Sequence, residues 1–147
     1  MAYTNLLFVD LNPVTSHYPL SRQDAAHVSD WVNYKGAHGG ALFVTVGNMP
    51  TGTTLDAKLQ QAQDASGTGA KDITGKVITQ LTAAGGDSNS LVAIEFQTEE
   101  LDVNNGFEYV RFVVTIDGGD VVYGATLFSR NARYKPVSTT AFDELVA

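Results

Sequence analysis

At 147 residues, with 44% hydrophobic and 17% charged side chains, the chain has the size of one domain able to bury about 70% of its unfolded surface. Its net charge of −7 opposes a phosphate backbone, and no apolar run approaches the ~18 residues of a membrane helix, so neither nucleic acid nor a membrane is expected as a partner. The lack of cysteine removes disulfides, thiolate metal sites and thiol nucleophiles together. Fourteen glycines and abundant Ser and Thr suit a chain of many short strands and many turns.

Residues 1–24 hold one apolar cluster, Leu6-Leu7-Phe8-Val9, followed by Asn12-Pro13 and Tyr18-Pro19. The start has no basic n-region and too short an apolar core for a signal peptide. Because proline keeps itself and its predecessor extended, the segment reads as an arm, with a first edge strand as the alternative. Ala25–Lys35 reads as a strand, a kink near Asp30 and a second strand, with Trp31, the only tryptophan, as a plug in the core. Ala41–Val46 is a near-continuous apolar run, consistent with a central strand covered on both faces. Residues 53–65 are ambiguous. Good helix formers compete with the alternation of Leu55, Ala57 and Leu59 against Asp56, Lys58 and Gln60; the strand-and-turn rhythm on either side favours a strand. Ile73–Leu81 follows as a strand with a bulge at Gly75, and Leu91–Thr98 as a strand with Val92, Ile94 and Phe96 on one side.

Phe107–Arg130 reads as two strands joined by Asp117-Gly118-Gly119-Asp120. A Gly-Gly pair supplies the positive φ angles of a tight hairpin turn, and the resulting register opposes Ile116 to Val121, Val114 to Tyr123, Phe112 to Ala125 and Val110 to Leu127. Every such pair is apolar, while Arg111–Thr126 and Tyr109–Phe128 fall on a half-wet face. A hairpin is therefore expected here. Beyond it, Thr139–Ala147 has the pattern of a short helix showing Phe142 and Leu145.

Chemistry-bearing patterns are sparse. The loop Ser66–Asp72 lacks the G-x-x-x-x-G-K-[ST] spacing of a phosphate loop, since Ala70 separates Gly69 from Lys71. Asp64-x-Ser66-x-Thr68 is similar to the start of a calcium loop but lacks its closing acid. His17, His27 and His38 fit no zinc-binding spacing, and no serine elbow is present. Glu95, Glu99, Glu100 and Asp102 cluster in sequence and read as a solvated acidic rim. No enzyme, cofactor or metal is expected.

The stretch from Gly47 through TLDAKLQQAQDASGTGAKDITGKVITQL, then EELDVNNGFEYVRFVVTI and the segment Ala132-Arg133-Tyr134-Lys135-Pro136, resembles a family of small tailed-bacteriophage head structural proteins. The resemblance spans residues 40–136 and rests on structural motifs. It implies a virion protein that decorates or cements the capsid, assembled in the host bacterial cytoplasm, with the major capsid protein as partner and a homo-oligomer, a trimer by preference, as the working form. The alternatives are a carbohydrate- or receptor-binding module on the virion surface, which would display Tyr34, Tyr123 or Trp31, and a head–tail or tail accessory protein. The expected architecture is an antiparallel β-sandwich, jelly-roll-like, of about eight strands over residues 25–130, with an arm over 1–24 and an extension over 131–147. Contacts are expected from Leu6, Leu7, Phe8 and Val9 of the arm and from Tyr134, Pro136, Phe142 and Leu145 of the extension.

Overall fold

Alternating side chains dominate the computed structural model, which describes residues 11–130. The strands are β1 (Leu11–Arg22), β2 (Ala25–Val28), β3 (Val32–Asn33), β4 (Gly39–Val46), β5 (Thr54–Ala62), β6 (Lys71–Val77), β7 (Leu81–Thr82), β8 (Leu91–Gln97), β9 (Tyr109–Asp117) and β10 (Val121–Arg130). Among the described residues the only helical turns are 3₁₀, at Thr98–Glu100 and Val103–Asn105.

The strands form two antiparallel sheets. One has the order β1-β10-β4-β8; the other has β2-β9-β5-β6, with β3 extending the pairing on β9 and β7 that on β5. The pairs are nested along the chain: β1 with β10, β2 with β9, β4 with β8, β5 with β6. A long antiparallel ribbon wrapped about a core gives this order, which is the double Greek key of a jelly roll. The expected sandwich is therefore present, built from eight principal strands and two short ones.

The expected hairpin is not. β9 pairs with β2 and β5, and β10 with β1 and β4; Ile116 lies opposite Leu55 and Ala25, and Val121 opposite Arg22. Gly118-Gly119 instead carries the chain from one sheet to the other. Gly118 has φ +84, and an added Cβ would collide with the carbonyl oxygen of Gly52. The two apolar sets read from the sequence, Val110, Phe112, Val114 and Ile116 against Val121, Tyr123, Ala125 and Leu127, are all buried. They meet across the interior, face to face, and not side by side in one sheet.

β5 settles as a strand, as expected. Leu55, Ala57 and Leu59 are fully buried while Asp56, Lys58 and Gln60 face outward, and ladders to β9 on one side and to β6 and β7 on the other outweigh local helix preference. The bulge expected at Gly75 falls where the β5–β6 register shifts. At the other end of the core Tyr34 is buried, its hydroxyl donating to the Phe128 carbonyl at 2.9 Å and its ring set edge-on to Phe96. Gly40 makes room for this pair: a Cβ there would lie 2.8 Å from both rings.

Three further expectations are corrected. Leu11–Arg22, assigned to the arm, is the edge strand of the first sheet, paired with β10 from Leu11↔Arg130 to Arg22↔Val121. An edge tolerates proline because the missing N–H can face solvent, and the register shifts at both prolines, between Pro13 and Thr15 and between His17 and Leu20. β4 is central in its sheet but covered on one face only, with Phe43 and Thr45 pointing outward. Trp31 is no core plug. It is half-buried outside the second sheet, under the Arg111 guanidinium at 4.5 Å, and its Nε1 abuts Gly67. The expected helix with Phe142 and Leu145 lies outside the described residues.

Candidate interaction face

Among the described residues Asp56, Lys58, Asp72 and Lys76 line an open hollow of about 450 Å³ on the second sheet, while the acids grouped in the sequence pair separately along the rim. Glu95 pairs with Arg130 at 3.1 Å, Glu100 with Lys76 at 2.9 Å and Asp102 with Lys71 at 2.6 Å. These are surface pairs along the sandwich rim, each of small energetic weight. Asp64 closes its own loop, accepting from the amides of Ser66 and Thr68 and from the Thr68 hydroxyl, which holds its carboxyl below the usual range. No group of three metal-ligating side chains occurs among the described residues.

His17 is the most constrained of the histidines. Its ring packs edge-on against Phe112 at 4.7 Å. Nε2 lies 3.2 Å from the Val28 carbonyl, so it donates there, and Nδ1 accepts from the Tyr123 hydroxyl at 2.9 Å. Burial lowers its pKa, and burial pushes the Tyr123 phenol up to about 12. The arrangement ties β1 to β2 and β10. Both ring nitrogens are engaged in these bonds, and His17 also lines the trough on the outer face of the first sheet.

The outward faces of the two sheets differ in kind. On the second sheet the side chains form a polar mesh crossed by one row in which Val28, Val113 and Val77 flank Lys58. Asp72 accepts from Lys58 at 2.9 Å and from Gln60 at 2.8 Å, Arg111 donates twice to Gln60 Oε1, and Asp56 accepts from Gln80. These groups satisfy one another, and Arg111 also covers Trp31.

The outward face of the first sheet is apolar. Strand register assembles it in rows. Phe128 sits beside Pro13 and Ala41; Thr126 beside Ser16 and Phe43, with Ala93 next across; Gly124 beside Thr45, with Leu91 next across. Val122 extends the face at one end, and Leu91 is 69% exposed, Phe43 37%. Phe43 and Phe128 stack edge to face at 5.4 Å, which holds both rings in place. The charged strand residues on this face are Glu95 and Arg130, confined to one end and paired with each other. Between β1 and β4 the face dips into a trough of about 540 Å³, rimmed by Pro13, Tyr18, Pro19, Phe43 and Phe128 and floored by Gly124. A second hollow of about 360 Å³ adjoins it between Pro19, Leu91 and Val122. A contiguous apolar surface of this kind, without charge at its centre, is the usual mark of a contact surface.

The contact residues expected from the sequence, Leu6, Leu7, Phe8, Val9, Tyr134, Pro136, Phe142 and Leu145, lie outside the described residues. The aromatics expected for a carbohydrate- or receptor-binding module are not displayed: Tyr34 and Tyr123 are fully buried and Trp31 is capped by Arg111. Sequence reading passed over Phe43, Leu91 and Val122. Their signal was the apolar residue at outward positions, which in β4 resembles a strand covered on both sides.

Neither protein-family models nor curated proteins give a match to this chain. Among solved structures, it is similar to a chain in the structure of infectious bursal disease virus Gx strain, with a TM-score of 0.42, 14% identity and 80% of this chain covered. It is also similar to a chain in the structure of Broad Bean Stain Virus, with a TM-score of 0.41, 12% identity and 94% of this chain covered. The match spans 30% of the first of those chains and 96% of the second.

Proposed function

We propose that this chain is a virion structural protein, a decoration or cement protein of a tailed-bacteriophage head, which binds a shell of major capsid protein through the outward face of its first sheet. The observation that carries the reading is that face: rows of Phe, Leu, Val, Pro and Thr with their one ion pair at the margin, against an opposite sheet where a polar mesh leaves only the short row of Val28, Val113 and Val77 apolar. The resemblance over residues 40–136 points the same way. A rigid sandwich bound at many equivalent shell positions gains strength from number, so each contact can be modest. A net charge of −7 limits self-association in solution and keeps the chain off the packaged genome. A trimer suits positions of local threefold symmetry on such a shell.

The test is co-sedimentation of the purified chain with virus particles stripped of it. Leu91→Asp and Phe43→Asp place a charge within the apolar face and are expected to weaken association at least tenfold, whereas Thr115→Asp on the opposite sheet leaves it unchanged. Equal binding by all three, or absence of the chain from purified virions, would overturn the proposal. Rings at one vertex of the particle would favour the head–tail role instead.

A further inference from the structure

We propose that His17 is a pH-operated clasp on the open edge of the sandwich: its neutral ring holds β1 to β2, and a second proton on that ring lets the two strands part. Tyr18 and Pro19, which follow it in the chain, form one wall of the trough on the outer face of the first sheet. The clasp therefore also sets the shape of that face, a consequence that rests on the reading of the face as a contact surface.

Strand order places a weak point here. β1 and β2 stand at the ends of their sheets, β1 paired with β10 and β2 with β9. β2 is four residues long, and the β1 ladder shifts register between His17 and Leu20, where Pro19 has no N–H to donate. Among the described residues, the bond from His17 Nε2 to the Val28 carbonyl is the one side-chain hydrogen bond from β1 to β2. The same ring reaches Tyr123 of β10 through Nδ1 and rests on Phe112 of β9. One imidazole thus joins two edge strands and an inner strand of each sheet.

The bond at Nδ1 needs the neutral ring, because there the imidazole accepts. A proton on Nδ1 sets two donors against each other. Turning the phenol hydroxyl to receive that proton strands its own hydrogen, since Tyr123 is fully buried and its hydroxyl has no other partner among the described residues. Burial is the largest further obstacle to a second positive charge. Arg22 of β1, whose guanidinium lies 4.7 Å from the centre of the Tyr123 ring, and His27 of β2 add to it, while the Val28 carbonyl and Asp30, just after β2, favour the charge. β9 and β10 face the ring with Phe112 and Tyr123. Swinging the charged ring out to water relieves these penalties and gives up the Val28 bond, which leaves β1 and β2 each held by its own ladder.

Hydrogen exchange on the intact chain, corrected for the intrinsic rate and followed from about pH 7.5 to about pH 5 across the ordinary histidine pKa of ~6.5, reads the clasp. Protection in Ser16–Arg22 and in β2 is expected to fall together, several-fold, while the far-ultraviolet spectrum stays native. His17→Gln keeps a donor and an acceptor but cannot titrate, so its protection should hold across the range. The ring signal of His17, assigned by nuclear magnetic resonance with His27→Gln and His38→Gln, should titrate over the same interval. That measurement tests the unaltered chain even where His17→Gln fails to fold. Protection in β1 and β2 that is independent of pH, that falls equally in His17→Gln, or that changes while the ring stays neutral overturns the proposal. Co-sedimentation with stripped particles is scored separately and should weaken several-fold at the acid end for the unaltered chain but not for His17→Gln. A chain whose edge loosens while its binding holds refutes the tie to the contact face alone, and one that binds at neither pH refutes the shell reading alone.

Discussion

Gly118→Asn separates the two ways in which β9 and β10 can be joined. Asparagine accepts positive φ better than other residues with a side chain, so in a lateral hairpin this substitution costs a few tenths of a kcal/mol. In the sandwich the same Cβ runs into the Gly52 carbonyl oxygen and lies 3.3 Å from Thr53 Cα, both backbone atoms that no rotamer change can move. Relief requires the turns at Gly52 and Gly118 to shift apart, a distortion of the overpacking kind worth about 1–3 kcal/mol. Gly75→Asn is the matched control, since Gly75 has φ +76 and nothing within 4 Å of an added Cβ. Urea unfolding followed by tryptophan fluorescence, with Trp31 as the single reporter, gives both values from the midpoint at constant slope. At this chain length each kcal/mol also moves the thermal midpoint by about 2–4 °C. A Gly118→Asn midpoint within about 0.5 kcal/mol of the Gly75→Asn value would refute the sheet-to-sheet turn.

Leu59→Ala, at a fully buried position on β5, is expected to cost about 2–5 kcal/mol in the same urea assay. Tyr34→Phe removes the hydroxyl that donates to Phe128 O and should cost about 0.5–1.5 kcal/mol, with β10 amides near Phe128 exchanging faster by hydrogen-exchange mass spectrometry. His17 is held neutral in the fold by burial, so its folded pKa lies below its unfolded value. The stability from this site is complete above the unfolded pKa of about 6.5 and is lost as pH falls below it, because the unfolded chain then binds the extra proton. Thermal midpoints should therefore decline from pH 7.5 toward pH 5, and His17→Gln should flatten that decline. Asp64, Asp72, Glu100 and Asp102 have lowered pKa values, so their contributions fade only at more acid pH, as each is protonated below its ordinary carboxylate range.

Much of the core was legible in residue order. The period of two in Leu55-Ala57-Leu59, in Ile94-Phe96 and along β9 and β10 names the side chains that point inward, because successive residues of a strand face opposite ways. The interaction face was less legible. Phe43 and Leu91 are as apolar as core residues, and what makes them a surface is that among the described residues no third layer covers the first sheet. Trp31 was misplaced for a related reason: its cover is Arg111, which lies eighty residues away in the chain.

What the amino-acid order determined by itself is the set of inward residues and the places where the chain turns. What only the tertiary structure decided is who stands beside whom. Gly118-Gly119 fits a turn within one sheet or a crossing between two, and the apolar alternation on either side is the same for both. The choice is made by the rest of the molecule. β9 finds ladder partners on both edges in β2 and β5, and β10 in β1 and β4, so both strands are paired on two sides while their apolar faces close on each other across the core. Those partners come from distant parts of the chain, beyond the reach of any local pattern.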